Sequence, residues 1–270
     1  GKGSVSLNLS TQGKTVSALK KAVNGKMTLS LTNGAFKQDG KSYAGEVKGN
    51  VQIEGSKLQA DVSGKVQQSK FTAKVALKDF DDPAIRFDVD VDQLDADQYL
   101  PKSSPTDAKK PAAPEQPFDL SALKKLNAEG GLRIGSFKVM NLKLAQVRLD
   151  MTARKGVINV NPLSANLYQG SMNGSLSVNA QDVPSFTINE KLSGVAVAPL
   201  IKDLMDLDAL EGKGSVALNL GTQGNTVSAL KKGLNGDASL NLTNGAIKGI
   251  NLTKLIQNAQ TLGKGSSSQT

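Results

Sequence analysis

Residues 84–92 read AIRFDVDVD, and this stretch decides the fold. Ile85, Phe87, Val89 and Val91 alternate with Arg86, Asp88, Asp90 and Asp92. Successive side chains of a strand point to opposite faces, so a period of two gives one apolar face and one solvated face. The same alternation recurs on both sides. Toward the N-terminus it is carried by Phe71, Ala73, Val75 and Leu77, by Leu58, Ala60 and Val62, and by Val47, Val51 and Ile53. Met27, Leu29 and Leu31, and Val5, Leu7 and Leu9, continue it. Toward the C-terminus come Val147, Leu149, Met151 and Ala153, then Leu163, Ala165 and Leu167, Leu176 and Val178, and Val216, Leu218 and Leu220. Asn33-Gly34, Asp39-Gly40, Glu54-Gly55, Lys155-Gly156 and Asn244-Gly245 read as the turns between runs.

Part of this pattern is duplicated. Residues 1–37 and 212–248 agree at 27 of 37 positions with a constant offset of 211, and the string SALKK starts at Ser17, Ser121 and Ser228. Each copy reads as a strand, a short capped helix and further strand, a unit unable to bury its own apolar face. The helices expected are few. Thr15 caps one ended by Asn24-Gly25, and Thr226 caps one ended by Asn235-Gly236. Ser121 starts a third that stops at Gly130-Gly131, and two more cover Pro199–Leu210 and Asn251–Leu262. Residues 101–117 hold five prolines and read as an exposed linker. The chain therefore divides into a first β module over 1–100, the linker, a second β module over 118–262 and a flexible tail over 263–270. The fold class expected is mainly β with a few short helices: an extended, curved antiparallel sheet, a repeating taco-like groove with an apolar concave face.

Composition narrows the function. The 270 residues include no Cys and no His, which removes thiolate nucleophiles, disulfides, imidazole acid–base chemistry and the commonest metal ligands. Aromatic residues are only 4%, too few to interleave with the scattered lysines as base-stacking platforms, so nucleic acid is not an expected partner. A net charge of +9 suits an anionic surface such as a phospholipid headgroup layer. No apolar run reaches about 18 residues, the length of a membrane span. Gly1 lies inside the repeat, so the chain reads as part of a longer protein.

Three phrases point to a family. Leu167-Tyr168-Gln169-Gly170 follows a strand, Leu242-Thr-Asn-Gly-Ala-Ile-Lys-Gly249 enters a helix, and Leu94-Asp-Ala-Asp-Gln-Tyr-Leu100 precedes the linker. With their surroundings over most of 41–262, they resemble the AsmA family of bacterial envelope proteins, including its TamB-related members; 1–37 resembles a second copy of a later module. The resemblance implies the periplasmic region of a protein anchored in the inner membrane, the anchor lying outside this chain. It further implies phospholipid as partner, transport toward the outer membrane or upkeep of it, and possible contact with outer-membrane assembly proteins. It implies no cofactor, no metal and no catalysis.

Physical reasoning runs the same way. Moving an acyl chain through water costs about 0.8 kcal/mol per CH₂, on the order of 12 kcal/mol for sixteen carbons, and an apolar gutter removes most of that. The candidate lipid-facing residues are Phe71, Val75, Leu77, Ile85, Phe87, Val89, Val147, Leu149, Met151, Leu163 and Leu167. Asp88, Asp90, Asp92, Asp95 and Asp97 read as a solvated face rather than a calcium loop, because same-face neighbours on a strand lie about 6–7 Å apart. Tyr168 is expected over a bend with its hydroxyl at the rim, and the three Lys-Lys pairs on solvated helix surfaces. Two other classes compete with the conduit. One is an assembly scaffold for outer-membrane proteins acting through exposed strand edges. The other is a glycan hydrolase, which needs paired acids in a pocket, whereas the acids here form surface-like runs.

Overall fold

The computed structural model describes residues 2–12, 14–15, 22–38, 41–98, 117–206 and 210–247. Period-two segments become strands throughout: β1 (Lys2–Ser10), β2 (Asn24–Gln38), β3 (Lys41–Glu54), β4 (Lys57–Val66), β5 (Ser69–Lys78) and β6 (Ala84–Asp95) precede the proline-rich segment. After it come β7 (Ala128–Val139), β8 (Leu142–Arg154), β9 (Val157–Leu167), β10 (Gly170–Asn179), β11 (Ser185–Ala196), β12 (Leu210–Gln223) and β13 (Asn235–Ile247). All thirteen lie in a single curved, open sheet in sequence order. Every neighbouring pair is antiparallel except β6 and β7, which run parallel. That parallel seam joins the stretches on either side of the proline-rich segment: Phe87 lies opposite Gly130, Val89 opposite Leu132 and Val91 opposite Ile134.

Three short helices accompany the sheet: α1 (Ser121–Lys124), α2 (Val197–Met205) and α3 (Val227–Lys232). Both described copies of SALKK lie in or overlap helices, at α1 and α3, with the four lysines exposed. Thr226 caps α3 as its sequence position requires, its Oγ1 accepting from the Ala229 N–H at 3.1 Å. The α2 helix is Val197–Met205 rather than Pro199–Leu210, with Pro199 in its first turn, where a missing N–H costs nothing. The helix expected between Thr15 and Asn24, the helix over Asn251–Leu262, the turn at Asp39-Gly40 and the 263–270 tail lie outside the described residues, wholly or for the most part.

Two of the expected turns are bulges instead. Asn33-Gly34 lies within β2 and Asn244-Gly245 within β13, each beside a register shift, and both asparagines sit at φ 52°. Asn tolerates this left-handed geometry, and the following glycine makes room for a leucine. A Cβ on Gly34 would stand 2.6 Å from Leu31 Cδ2, and one on Gly245 2.4 Å from Leu242 Cδ2. The duplicated sequence thus repeats a local device as well as a strand. Likewise Gly130-Gly131 and Asn235-Gly236 lie in strands rather than ending helices; the chain turns extended earlier than helix periodicity suggests, because adjacent strands capture it.

Burial is modest and concentrated on β7–β10. One cluster holds Ala128, Ala153 and Ile158, with Ile85, Phe87, Met151 and Val178 packed on it, together with Leu123 and Leu126 from the α1 region. A second holds Ile134, Val147 and Ala165, surrounded by Val91, Leu94, Leu132, Phe137, Leu144 and Met172. At the start of the sheet, Val5, Leu7 and Leu9 of β1 remain 64%, 57% and 50% exposed.

Candidate functional site

Directly paired residues share a face, so the strand registers trace rows across the sheet. One runs Leu9, Gly25, Ile53, Leu58, Leu77, Ile85, Ala128, Ala153, Ile158, Val178, Phe186. The next runs Leu7, Met27, Val51, Ala60, Val75, Phe87, Gly130, Met151, Val160, Leu176, Ile188, Leu220. A third passes from Val5 through Leu29, Gly49, Val62, Ala73, Val89, Leu132, Leu149, Leu163 and Gly174 to Glu190, Leu218 and Ala238. A fourth links Leu31, Val47, Gly64, Phe71, Val91, Ile134 and Val147. At roughly 4.8 Å per strand, a row that crosses all thirteen is about 58 Å long. The glycines are filled from the side: a Cβ on Gly64 would meet the Phe71 ring at 2.9 Å, and one on Gly130 the Phe87 ring at 2.7 Å. Both rings therefore lie across a neighbouring strand.

All eleven candidate residues fall on this face. Leu77 and Ile85 share the first row; Val75, Phe87 and Met151 the second; Val89, Leu149 and Leu163 the third; Phe71 and Val147 the fourth. Leu167, buried at the end of β9, follows Leu163 and Ala165 by alternation. The opposite face is polar. Asp61 and Asp88 flank Lys74 by register. Arg133 binds Asp88 and lies 3.6 Å from Asp90, pulling the acidic run of β6 onto β7. Asp97 accepts the Asn141 N–H at 3.0 Å and also that of Met140; these contacts, the Asn141 bond first, hold its carboxyl below the usual range. The acids thus bind arginine, lysine and backbone rather than gathering about a shared point.

Each end of the apolar face over β7–β12 is strapped. Past the proline-rich segment, the Phe118 N–H donates to the Asn225 carbonyl beyond β12, and the chain then returns to β7 through α1. Here a cavity of about 980 Å³ is lined by Leu58, Leu77 and Ile85 and by five lysines, Lys57, Lys78, Lys124, Lys125 and Lys155, with Asp81 and Asp82 on the same wall and Glu129 paired there with Arg86 and Arg154. At the other end α2 spans from β11 and β12 toward β8. Tyr168 donates its hydroxyl to Asp203 Oδ2 at 2.8 Å and accepts the Lys143 N–H at 3.2 Å, and Lys143 Nζ lies 2.9 Å from the same carboxylate. Lys143 and Tyr168 hold the Asp203 carboxyl low, while burial and Asp203 raise the Tyr168 phenol. Tyr168 does sit on a bend, at φ 44° between β9 and β10, but its hydroxyl latches a helix rather than facing solvent. Tyr168→Phe is expected to quicken amide exchange in 197–205 about fivefold, as loss of one hydrogen bond implies; unchanged exchange would show that the latch does not hold α2.

Sequence reasoning missed Glu190. It occupies an apolar phase position, between Ile188 and Leu192 on β11, and its register partners are Gly174 and Leu218. A check of each alternating run for one charged residue in the apolar phase finds it. Among the described residues, its two oxygens are the buried side-chain N or O atoms that lack a hydrogen-bond partner. Burial pushes the carboxyl up to about 6 from 4.5. Burial favours the neutral acid, so the fold holds this proton more tightly than the unfolded chain does. The contribution of this one group to stability is accordingly greatest below about pH 4.5 and is lost as pH rises through about 6. Allowing for solvent screening, Glu190→Gln is expected to be more stable than the parent by about 1 kcal/mol at pH 8 and equal to it at pH 4. Urea titrations at the two pH values check this.

Among protein-family models, that of the AsmA family matches residues 40–269, most of the chain. No curated protein and no solved structure matches. No helix among the described residues is long and apolar enough to cross a membrane.

Proposed function

The chain belongs to the AsmA family of the bacterial envelope, and on that premise we propose that this region is a non-enzymatic phospholipid conduit. It works in the periplasm, attached to the inner membrane, and serves phospholipid supply to the outer membrane. Acyl chains lie along the apolar rows while headgroups stay at the wet margin. The observation that carries this reading is the set of apolar rows on one face, the second running from Leu7 on β1 to Leu220 on β12 and the third reaching Ala238 on β13 with a single charged member, Glu190, while the opposite face is polar. At about 25 cal/mol per Å² of apolar surface removed from water, such a face is a large unused binding potential. The five lysines at the strapped end suit a phosphodiester; among the described residues they take no ion pair. No step of this function makes or breaks a covalent bond, so the absence of His and Cys is no handicap.

Native mass spectrometry of the gently purified protein tests the proposal. Phospholipid retained at one or more molecules per chain is expected. A lipid-free protein that stays lipid-free after incubation with phospholipid vesicles overturns it. One observation favours a second reading, an assembly scaffold: β1 is exposed along its whole length, and among the described residues no strand pairs with its outer edge. That reading requires protein crosslinks at β1 and no lipid.

A further inference from the structure

Glu190 interrupts the third apolar row in its C-terminal part. On its face, β10 presents Met172, Gly174 and Leu176, and β12 presents Val216, Leu218 and Leu220; none is charged or titrates. Lys191, its neighbour in sequence, alternates to the opposite face; it and Glu190 both reach the wall of an open cavity of about 510 Å³, with Asn161, Asn173 and Asn189, and none of these bonds the Glu190 oxygens. On α2, which packs on β11 and β12, the charged groups are engaged elsewhere: Lys202 with Asp206, and Asp203 with Lys143 and Tyr168. Gly174 makes the space that Glu190 fills. A Cβ there would stand 2.5 Å from Glu190 Cδ and 2.6 Å from its Oε2. The carboxyl group therefore lies over β10 with both oxygens out of solvent contact and no donor facing them. An apolar chain laid across β10–β12 would seal that group further, which the neutral acid tolerates and the carboxylate does not.

We propose that Glu190 is the specificity-determining residue of the track: an apolar chain seats across β10–β12 only with the Glu190 carboxyl protonated. Loading of this segment takes up one proton from solvent, and loss of that proton releases the chain. The inference rests on the conduit reading. It is supported by the protein's own burial of the carboxyl, which already raises it to about 6; a covering occupant raises it further, and linkage then makes affinity fall as pH rises.

The test measures binding of phosphatidylglycerol and phosphatidylethanolamine, each labelled on an acyl chain, at pH 5.5 and pH 8. It compares the parent chain, Glu190→Gln and Glu190→Leu, with circular dichroism confirming that each variant is folded. The parent is expected to bind both lipids at least tenfold more tightly at pH 5.5, and both variants to bind equally at the two pH values. If the variants keep the parent's pH dependence, or the parent shows none, the proposal is overturned while the conduit reading stands. If binding at pH 8 instead favours the ethanolamine lipid and both variants lose that preference, Glu190 pairs with an amine and the proposal is again overturned. If none of the three proteins binds either lipid at either pH, the conduit reading falls as well.

Discussion

Val89→Asp combined with Leu149→Asp is expected to strip phospholipid from the protein at pH 8 and leave the sheet folded. The two residues lie in one row, separated by Leu132, close to the parallel seam. Both are only partly buried, so in the empty protein each new carboxylate reaches water along the open face. An acyl chain lying over them removes that water, and an ionised carboxylate taken out of water costs several kcal/mol. Since about 1.4 kcal/mol is a factor of ten, affinity for phospholipid is expected to fall at least a hundredfold. Lipid stoichiometry by mass spectrometry, with circular dichroism on the same sample, reads the effect. Thr152→Asp, on the exposed polar face of β8, is the control and is expected to retain lipid fully. Equal lipid in all three proteins would remove the apolar face from the mechanism.

Ile134→Ala is expected to cost about 3 kcal/mol of stability, the largest single-residue loss foreseen here. Ile134 is 4% exposed and sits where the fourth row crosses from β6 through β7 to β8. Val147 and Ala165 are buried with it, and Val91, Leu132, Phe137 and Met172 close over them. The strands around it are fixed by a parallel seam on one side and a register shift between β8 and β9 on the other, so little collapse into the void is available. Leu7→Ala on β1, where the side chain is 57% exposed, is expected to shift stability by less than about 0.5 kcal/mol. The urea midpoints of the two variants, compared with the parent, check the contrast between a packed centre and an exposed edge.

The chemistry of the fold was legible because it is local. Period two in Ile85–Val91 or Val147–Ala153 determines both that a strand forms and which residues share a face, so all eleven candidates fall on one side. Register was less legible, because it depends on bulges whose signal is ambiguous. Asn-Gly is a hairpin signal, yet Asn33-Gly34 and Asn244-Gly245 kink strands that continue, since their partners extend past them. The parallel β6–β7 seam had no local signature at all: it is made by the route of the chain after the proline-rich segment. Nor does any single position announce that α2 is latched by Tyr168, Asp203 and Lys143, which are separated by up to 60 positions in the sequence. Glu190 was legible in principle, as the charge in the wrong phase of Phe186, Ile188 and Leu192. Its lack of a partner required the strands on both sides.

The central claim is that lipid occupies one face of this sheet and not the other. Photo-crosslinking from single p-benzoylphenylalanine substitutions, made in cells and read by mass spectrometry, tests it most directly. Substitutions at Leu29, Val75, Val89, Leu149 and Leu218 sample the apolar face from β2 to β12, and Thr28, Lys74, Asp90, Thr152 and Asn219 sample the polar face of the same strands. Phospholipid adducts are expected at all five apolar-face positions and at none of the polar-face positions. Adducts to protein alone, or lipid adducts equally from both faces, would contradict the account.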